Sequence, residues 1–503
     1  VDISHHSDDE PDLAFEAQAP SQPVALRTDI PARLDRLPWS SWHTRVLLGL
    51  GTVWILDGLE VTIVGALGNR LTRPESGLGL TAIQLGQAAA AYVIGAVLGA
   101  IVFGYLTDRL GRKRMFLLTL ALYIGATLAT AASIGPWTFF VCRFFTGAAI
   151  GGEYSAINSA IDELIPARVR GLVDLSVNGS FWLGAIAGAA LSIPLLDPRW
   201  FADDIGWRLA FALGAVLSFA IILVRRYVPE SPRWLLLHGR ASEAEQIVSD
   251  IERRVSAQKG PLKEPSSSIA LRTDHRVGFG TVAVTLVRTY PRRTLLCLAL
   301  FVGQAFLYNA IFFTQALILG RYFGVSDERI GYFVFPIASG NLLGPLVLGT
   351  LFDRWGRRPM IALSFILSGL LLMMTGHLFQ SGALTAETMT ACWVIVFFFA
   401  SAAASSAYLT VSEIFPLEIR ALAIALFYAV GTSMGGIVGP ILLGAAIESG
   451  TPAAIAHGYY WGASLMILAG VAEIVLGVEA AQRTLEQVAP PLSQISDGQE
   501  PRG

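Results

Sequence analysis

The sequence predicts an all-α integral membrane protein with twelve transmembrane helices in two six-helix bundles. Three observations carry that expectation. Of 503 residues, 53% are hydrophobic and only 15% charged, and mean hydropathy is +0.57, whereas soluble chains carry about 25% charged residues. Twelve apolar stretches each approach or exceed the roughly 20 residues that cross a bilayer as a helix. Two charged loop motifs occur twice, at matching places in the two halves.

The expected spans are 46–70, 82–106, 114–134, 137–159, 171–196, 206–227, 294–319, 330–352, 359–380, 388–411, 419–447 and 457–478. The sharpest breaks are charged: DRLGRKR at 108–114 and DRWGRRP at 353–359. Span 1 is too long for a signal peptide, contains Asp57 and Glu60, and follows a polar tail. The opening Val1 points to an alternative or trimmed start. The organisation expected is a disordered cytoplasmic tail at 1–45, a first bundle at 46–227, a cytoplasmic linker at 228–293, a second bundle at 294–478 and a cytoplasmic tail at 479–503, whose polar stretch 486–503 is expected to be disordered. Within the linker, 242–255 has the periodicity of an amphipathic helix and 259–268 the composition of a flexible connector.

Orientation follows from the basic residues. With both termini in the cytoplasm, the 36 Lys and Arg divide as 29 cytoplasmic, 6 external and 1 within a span, Arg143. The reverse orientation inverts this bias. A multi-pass protein of the cell (inner or plasma) membrane is therefore expected.

Other classes are excluded by what the chain lacks. A net charge of −2 gives no basic field for nucleic acid. Cys142, Cys297 and Cys392 lie in apolar runs without metal or disulfide spacing. The seven His are scattered, and neither a nucleophile elbow nor a Walker motif occurs, so no enzyme, cofactor, metal site or ATP-driven pump is expected.

The repeats come next. GYLTDRLGRKR (104–114) sits between spans 2 and 3, and GTLFDRWGRRP (349–359) between spans 8 and 9. DELIPARVRG (162–171) follows span 4, and SEIFPLEIRA (412–421) follows span 10. Matched motifs of this kind mark duplicated bundles, with a solute site near the midplane between them. In the first motif, Asp108 lies near the next helix start or within reach of Arg residues. Salt bridges there would tie the halves together at the cytoplasmic face; alternatively, Arg109, Arg112, Lys113 and Arg114 only anchor the loop inside.

Carboxylates at membrane depth mark function by default. Asp57 and Glu60 are three apart, hence neighbours on one helix face. Burial and a like-charged neighbour both favour the protonated form, which suits proton symport. The alternative is a structural polar network that includes Arg143. Glu153 is a third such carboxylate, with coupling, solute-binding and structural roles open. It lies ten residues from Arg143, about 15 Å along the axis, so Arg143 is expected to serve a cytoplasmic network or another carboxylate. Gln304, Tyr308 and Gln315 share a face of span 7, and Ser401, Ser405, Tyr408 and Ser412 a face of span 10. Both stripes suit either a polar solute or helix–helix hydrogen bonds. Glycines 147, 151 and 152 in span 4, 184 and 188 in span 5, and those of 431–440 in span 11 suit close packing, with 431–440 also a candidate flexible point.

At these motifs the chain resembles the major facilitator superfamily, in its sugar-porter and metabolite–proton symporter branch, over about 45–480. The resemblance rests on G-x-x-x-D-R-x-G-R-[RK] at Gly104, Asp108, Arg109, Gly111 and Arg112 and again at Gly349, Asp353, Arg354, Gly356 and Arg357. It rests also on R-x-x-x-G at Arg143 and Gly147, on E-x-x-P-x-x-x-R at Glu163, Pro166 and Arg170 and at Glu413, Pro416 and Arg420, and on PESPRWLL at 229–236. It implies that these loop residues with Arg143 form a cytoplasmic gate. QAFLYNAIFF (304–313) resembles a sugar-binding motif and implies solute contacts at Gln304 and Asn309. Asn178 and Tyr408 stand where sugar porters carry a Gln and a Trp. LDGLE in span 1 and GGE (Gly151, Gly152, Glu153) in span 4 are similar to the niacin-transporter branch.

The function expected is secondary active transport, with proton-coupled import of a small polar solute, a sugar or polyol or an organic acid, by a monomer in the bilayer. A uniporter or proton-driven exporter of the same fold is an alternative. A transporter-like solute sensor is another, although 228–293 is short and polar for a signalling domain.

Overall fold

A computed structural model describes residues 25–71, 74–195, 199–225, 229–265, 268–272, 278–312, 314–325 and 327–493. Among the described residues the structure is helical apart from one short antiparallel ribbon, β1 (Ala25–Thr28) with β2 (Ile269–Arg272). Six membrane-length helices form the first half: α1 (Ser41–Leu71), α2 (Ala82–Leu110), α3 (Arg112–Ala131), α4 (Pro136–Leu164), α5 (Arg170–Gly179, continued beyond Ser180 as Phe181–Leu195) and α6 (Gly206–Arg225). Six form the second: α7 (Pro291–Phe312), α8 (Asp327–Arg354), α9 (Arg357–Gln380), α10 (Ala386–Ile414), α11 (Arg420–Glu448) and α12 (Pro452–Leu476).

Among the described residues, ten helical stretches are both long and apolar enough to cross a membrane. Neither α4 nor α6 is one of them. α4 carries Arg143, Glu153, Asp162 and Glu163, which lower its hydropathy. In α6 the described side chains run from Gly206 to Phe219, and the sequence stays apolar through Val224. Both pack within the first half among helices that do qualify.

Local chemistry sets several boundaries. Thr81 and Thr385 cap α2 and α10, each accepting the backbone N–H three residues on, while Gln84 and Thr388 return the bond. α2 breaks into α3 at Gly111 (φ 97°), and α8 into α9 at Gly356 (φ 107°). That backbone region excludes most side chains, so the repeated motif needs its glycine at both turns. α2 and α4 pack almost backbone to backbone. A Cβ on Gly147 would lie 2.0 Å from the Tyr92 carbonyl oxygen, and one on Gly151 2.0 Å from that of Ala96. Outward, α2 shows Ile94, Leu98 and Val102, a face suited to lipid tails. The halves meet along α2 against α11 and α5 against α8.

Several expectations need correction. Residues 25–45 are ordered: β1 leads into the helix Ile30–Asp35, whose Ile30 and Leu34 are buried. Arg33 binds Glu245 and Glu252, on the helix Ala241–Lys259. Ion pairs and apolar contacts thus fix a stretch that reads as tail; residues 1–24 lie outside the described residues. The second tail is likewise packed through 493, where the backbone N–H and hydroxyl of Ser493 donate to Glu418. The connector lies between the helix Ala241–Lys259 and β2. Lys259 closes the helix, 266–267 lie outside the described residues, and β2 starts at Ile269. Finally, α7 stops at Phe312 and a new helix runs over Gln315–Phe323, so Gln315 does not continue the Gln304–Tyr308 stripe.

Candidate functional site

At one end of the molecule, called the basic end below, the repeated motifs interlock. Asp353, at the end of α8, accepts the backbone N–H groups of Gly171 (3.0 Å) and Leu172 (2.8 Å), the first turn of α5 in the other half. Asp108, at the end of α2, accepts the N–H of Leu422 (3.1 Å), the first turn of α11. Each carboxylate therefore meets the positive pole of a helix in the opposite half. Around them, Arg112 binds Glu163 (2.8 Å) and Asp108 (3.3 Å), while Arg357 grips Glu413 through two nitrogens (2.9 and 3.0 Å) and Asp353 at 2.8 Å. The remaining arginines cross over: Arg170 approaches Glu413 (3.5 Å) and Arg420 approaches Glu163 (3.7 Å). Gly349 lies against Leu172 of the other half. Arg109 is exposed, with its guanidinium 4.4 Å from the Tyr105 ring centre, and Arg354 is exposed too.

A second matched pair was missed in the sequence. Glu230 accepts from the N–H groups of Arg112 (2.9 Å) and Lys113 (3.2 Å), and Glu479 from those of Arg357 (2.8 Å) and Arg358 (3.2 Å). They cap α3 and α9. Burial pushes the Glu230 carboxyl above its ordinary value, against the pull of these donors and Arg112. The signal was present, since Glu230 follows α6 as Glu479 follows α12, but the flanking residues differ.

A third layer ties the tails to this latch. Buried Arg233 reaches Glu486 (2.8 Å), Asp35 (3.4 Å) and the Glu163 carbonyl (2.5 Å). Asp35 also accepts from Arg170 (3.4 Å). Burial raises the Asp35 carboxyl above its ordinary value, and Arg233 and Arg170 oppose it. A cavity of about 330 Å³ lies beside this layer, lined by Tyr105, Arg109, Trp234, His238 and Leu422. Asp108 and Arg112 of the interlocked motifs line it too, and none of the mid-membrane carboxylates does.

Arg143 is not part of the latch, contrary to expectation. It lies twenty residues from Glu163 on α4, about 30 Å along the axis. Its Nη1 binds Glu60 at 2.5 Å, and the guanidinium rests over the rings of Tyr92 (4.5 Å) and Phe211 (5.7 Å). Glu60 is thereby paired. Asp57, one turn away, is 2% exposed, and its Oδ2 has no hydrogen-bond partner among the described residues. Glu153 is buried within electrostatic reach of Asp57. The structure thus gathers all three carboxylates in mid-membrane and gives Arg143 to one of them.

Next to them the halves contribute a layer of rings. Trp54 stacks on Tyr154 (4.5 Å, 3° between planes) and meets Tyr408 edge-on (6.2 Å). Tyr154 meets Tyr428 (5.2 Å), and Phe301 meets Tyr408 (5.0 Å). Trp182 from α5 faces Tyr308 (6.0 Å) and Phe312 (5.9 Å) of α7. Tyr308 donates to Asn341 at 2.6 Å. Of the polar residues expected to touch solute, Tyr408 lies in the ring layer. Gln304 is half-buried on α7. Asn309 donates to the Ala305 carbonyl of its own helix (2.7 Å) and lies beside Gly436. Asn178 is turned by α5 toward α4: its amide donates to Asn158 (3.0 Å) and to the carbonyl and carboxylate of Asp174 (2.9 and 3.2 Å). Trp54, Tyr154, Trp182, Tyr428 and Asn341 were not singled out, since in an apolar span a ring reads as ordinary packing.

Comparison with known proteins agrees with this geometry. The family model described as sugar (and other) transporter matches residues 61–491. The niacin transporter NiaP of Acinetobacter baylyi is 28% identical over 466 residues, covering 92% of this chain and 99% of that one. The 4-hydroxybenzoate transporter PcaK of Pseudomonas aeruginosa is 26% identical over 432 residues, covering 85% and 92%. The structure of the major facilitator proton:xylose symporter XylE bound to 6-bromo-6-deoxy-D-glucose superposes with a TM-score of 0.74 at 19% identity, over 89% of this chain and 98% of that one.

Proposed function

The chain belongs to the sugar (and other) transporter family, and from that premise we propose that it carries a small aromatic organic acid into the cell together with a proton. The observation behind this reading is the adjacency of Asp57, whose Oδ2 is buried without a hydrogen-bond partner among the described residues, to a layer of rings from both halves. The rings suit a planar solute, and relatives named for niacin and 4-hydroxybenzoate fit that class. With Asp57 protonated the site accepts an anion; with Asp57 ionised it repels one. Proton and solute then enter together and leave together, since coupled affinities are reciprocal. In this reading Glu60 and Glu153 tune Asp57, and Gln304, Asn309 and Tyr408 line the solute's path. A sugar or polyol is the second reading, favoured by half-buried Gln304.

The bodies at 46–227 and 294–478 rock about this site, and one chain suffices because both halves supply it. The basic end faces the cytoplasm, as the 29-to-6 division of Lys and Arg requires. Reporter fusions at Glu75 and Pro452 should read external and one at Ser267 internal; a cytoplasmic signal at Glu75 overturns the orientation.

The central test is uptake into proteoliposomes under an imposed pH gradient, inside alkaline, with nicotinate, 4-hydroxybenzoate and xylose compared. Accumulation of either aromatic acid with matching proton uptake supports the proposal. Accumulation of xylose alone favours the second reading, and uptake that ignores the gradient rejects proton coupling.

A further inference from the structure

Between the ring layer and the latch runs a polar column that the two halves do not share. On α4, Tyr154, Asn158 and Asp162 recur every fourth residue and so lie on one face over about 12 Å. On α5, Asp174 and Asn178 face them, with the Asn178 amide bonded to both Asn158 and Asp174. Alignment of the two E-x-x-P-x-x-x-R motifs sets Ser412 against Asp162 and Ile424 against Asp174. The duplicated fold therefore needs neither acid.

Both carboxylates are 0% exposed. Neither oxygen of Asp162 and only one of Asp174 meets hydrogen-bond geometry among the described residues, although the Ser412 hydroxyl, which donates to the Leu409 carbonyl, is within reach of Asp162. Facing Asp162 are Arg170, whose Nε is 3.8 Å away, with Arg420, Glu413 and Ser412. Facing Asp174 are Asp162, Glu413, Arg357 and Asn178. The guanidinium groups are already shared: Arg357 with Glu413 and Asp353, Arg170 with Glu413 and Asp35, and Arg420 with Glu163. An uncompensated buried charge costs several kcal/mol, whereas a neutral acid costs far less.

We propose that Asp174 and Asp162 form a proton station that couples opening of the basic end to proton release. This rests on the symport reading above. While the latch is closed both acids hold a proton on a carboxyl oxygen. Opening admits water, each O–H bond breaks, and the proton passes to water at the basic end. The two new negative charges lie beside Glu413 and Glu163 and oppose reclosure until protons return. An alkaline cytoplasm therefore favours the open basic end.

Opening can be followed without solute. With Cys142, Cys297 and Cys392 replaced by serine, spin labels at Arg114→Cys and Pro359→Cys, both exposed positions on opposite halves, report the separation of α3 from α9 by pulsed electron resonance. In the otherwise unchanged protein the open fraction should rise at least about fivefold between about pH 5 and about pH 9. Asp162→Asn with Asp174→Asn should hold it low and flat, within about twofold over that range, and Asp162→Glu with Asp174→Glu should restore the rise. An unchanged rise in the asparagine variant overturns the proposal, as does a flat response in the unsubstituted protein. If the double variant does not fold, the single variants carry the test, and each should make the curve shallower. Failure of the symport reading shows separately, as gradient-independent uptake by the wild type.

Discussion

Asp353 and Leu172 belong to opposite halves of the chain, yet the carboxylate of one accepts the backbone N–H of the other at 2.8 Å. Asp108 and Leu422 repeat the relationship with the halves exchanged. Since the recipients are backbone groups at helix starts, only the aspartates can be altered by substitution. Asp353→Asn and Asp108→Asn keep the size and lose the charge. Each should slow transport turnover about tenfold or more, while equilibrium solute binding changes by less than about threefold, because both sites lie far from the ring layer. Paired measurements of binding and uptake rate check this. A collapse of binding with a normal cycling rate removes the latch assignment.

The Glu60–Arg143 pair makes a sharper demand on the mid-membrane site. Removing one partner of a buried pair costs about 3–5 kcal/mol because the other charge is stranded. Glu60→Gln should therefore lower thermal stability, and Arg143→Met in the same chain should recover part of it. Asp57→Asn strands no arginine and should be well tolerated in stability. It should nevertheless abolish accumulation against a gradient while counterflow exchange survives. Melting curves beside concentrative uptake separate the two residues; concentrative uptake by Asp57→Asn moves the proton site elsewhere, with Glu153 next in line.

The stacked rings offer a test of solute class. Trp54 lies on Tyr154 with planes 3° apart. If a planar solute takes a place in this layer, Trp54→Phe keeps a ring and should bind nearly as well, and Trp54→Ala should weaken binding by about tenfold, the order of a lost aromatic contact plus its area. Titration calorimetry with nicotinate and 4-hydroxybenzoate measures both. Equal affinity for wild type and Trp54→Ala excludes the layer from the solute site.

Acid should loosen the second tail. Burial works against ionisation of Glu486, but Arg233 beside it, with the bond they share, holds its carboxyl below the ordinary value. A depressed carboxyl stabilises the folded arrangement above its unfolded pKa of about 4, and that contribution is lost as pH falls through the lower folded value. Residues 479–493 should thus be protected from proteolysis at neutral pH and become cleavable in acid. Glu486→Gln should be cleavable at both. Protection of Glu486→Gln equal to wild type at neutral pH shows that the tail is held by other contacts.

Much of this fold was legible because it is written in local patterns. Apolar runs of membrane length, and loop motifs recurring at matched positions, need no knowledge of distant contacts. The paired contacts of Asp108 and Asp353 follow the same logic, since the two residues occupy equal places in equal repeats. What escaped depends on pairs far apart in the chain. Glu60 is 83 residues before Arg143, and no spacing rule joins them, so their pairing stood only as an alternative to a place for Arg143 in the cytoplasmic network. The order of 25–45 rests on Arg33 meeting Glu252, 219 residues away. The bonds of Asn178 to Asp174 and Asn158 were not legible, because a side chain's rotation about its helix cannot be fixed without neighbours. Trp54 and Tyr154 were passed over since burial and stacking leave the same residue types in sequence.

The ribbon of β1 with β2 sets an order of events during synthesis. β1 is among the first described residues, yet its partner Ile269–Arg272 lies beyond all six helices of the first half. As the chain emerges from the ribosome, the leading segment has no strand to pair with until those six helices have been made. The same delay applies to Arg33, whose partners Glu245 and Glu252 are translated only shortly before β2. The early membrane intermediate is therefore a six-helix bundle whose leading segment is tied at Asp35, by Arg170 and the Ala167 N–H, while β1 and Arg33 still lack their partners. Closing the ribbon and the Arg33 pairs marks the arrival of the connecting segment, before the second bundle is made.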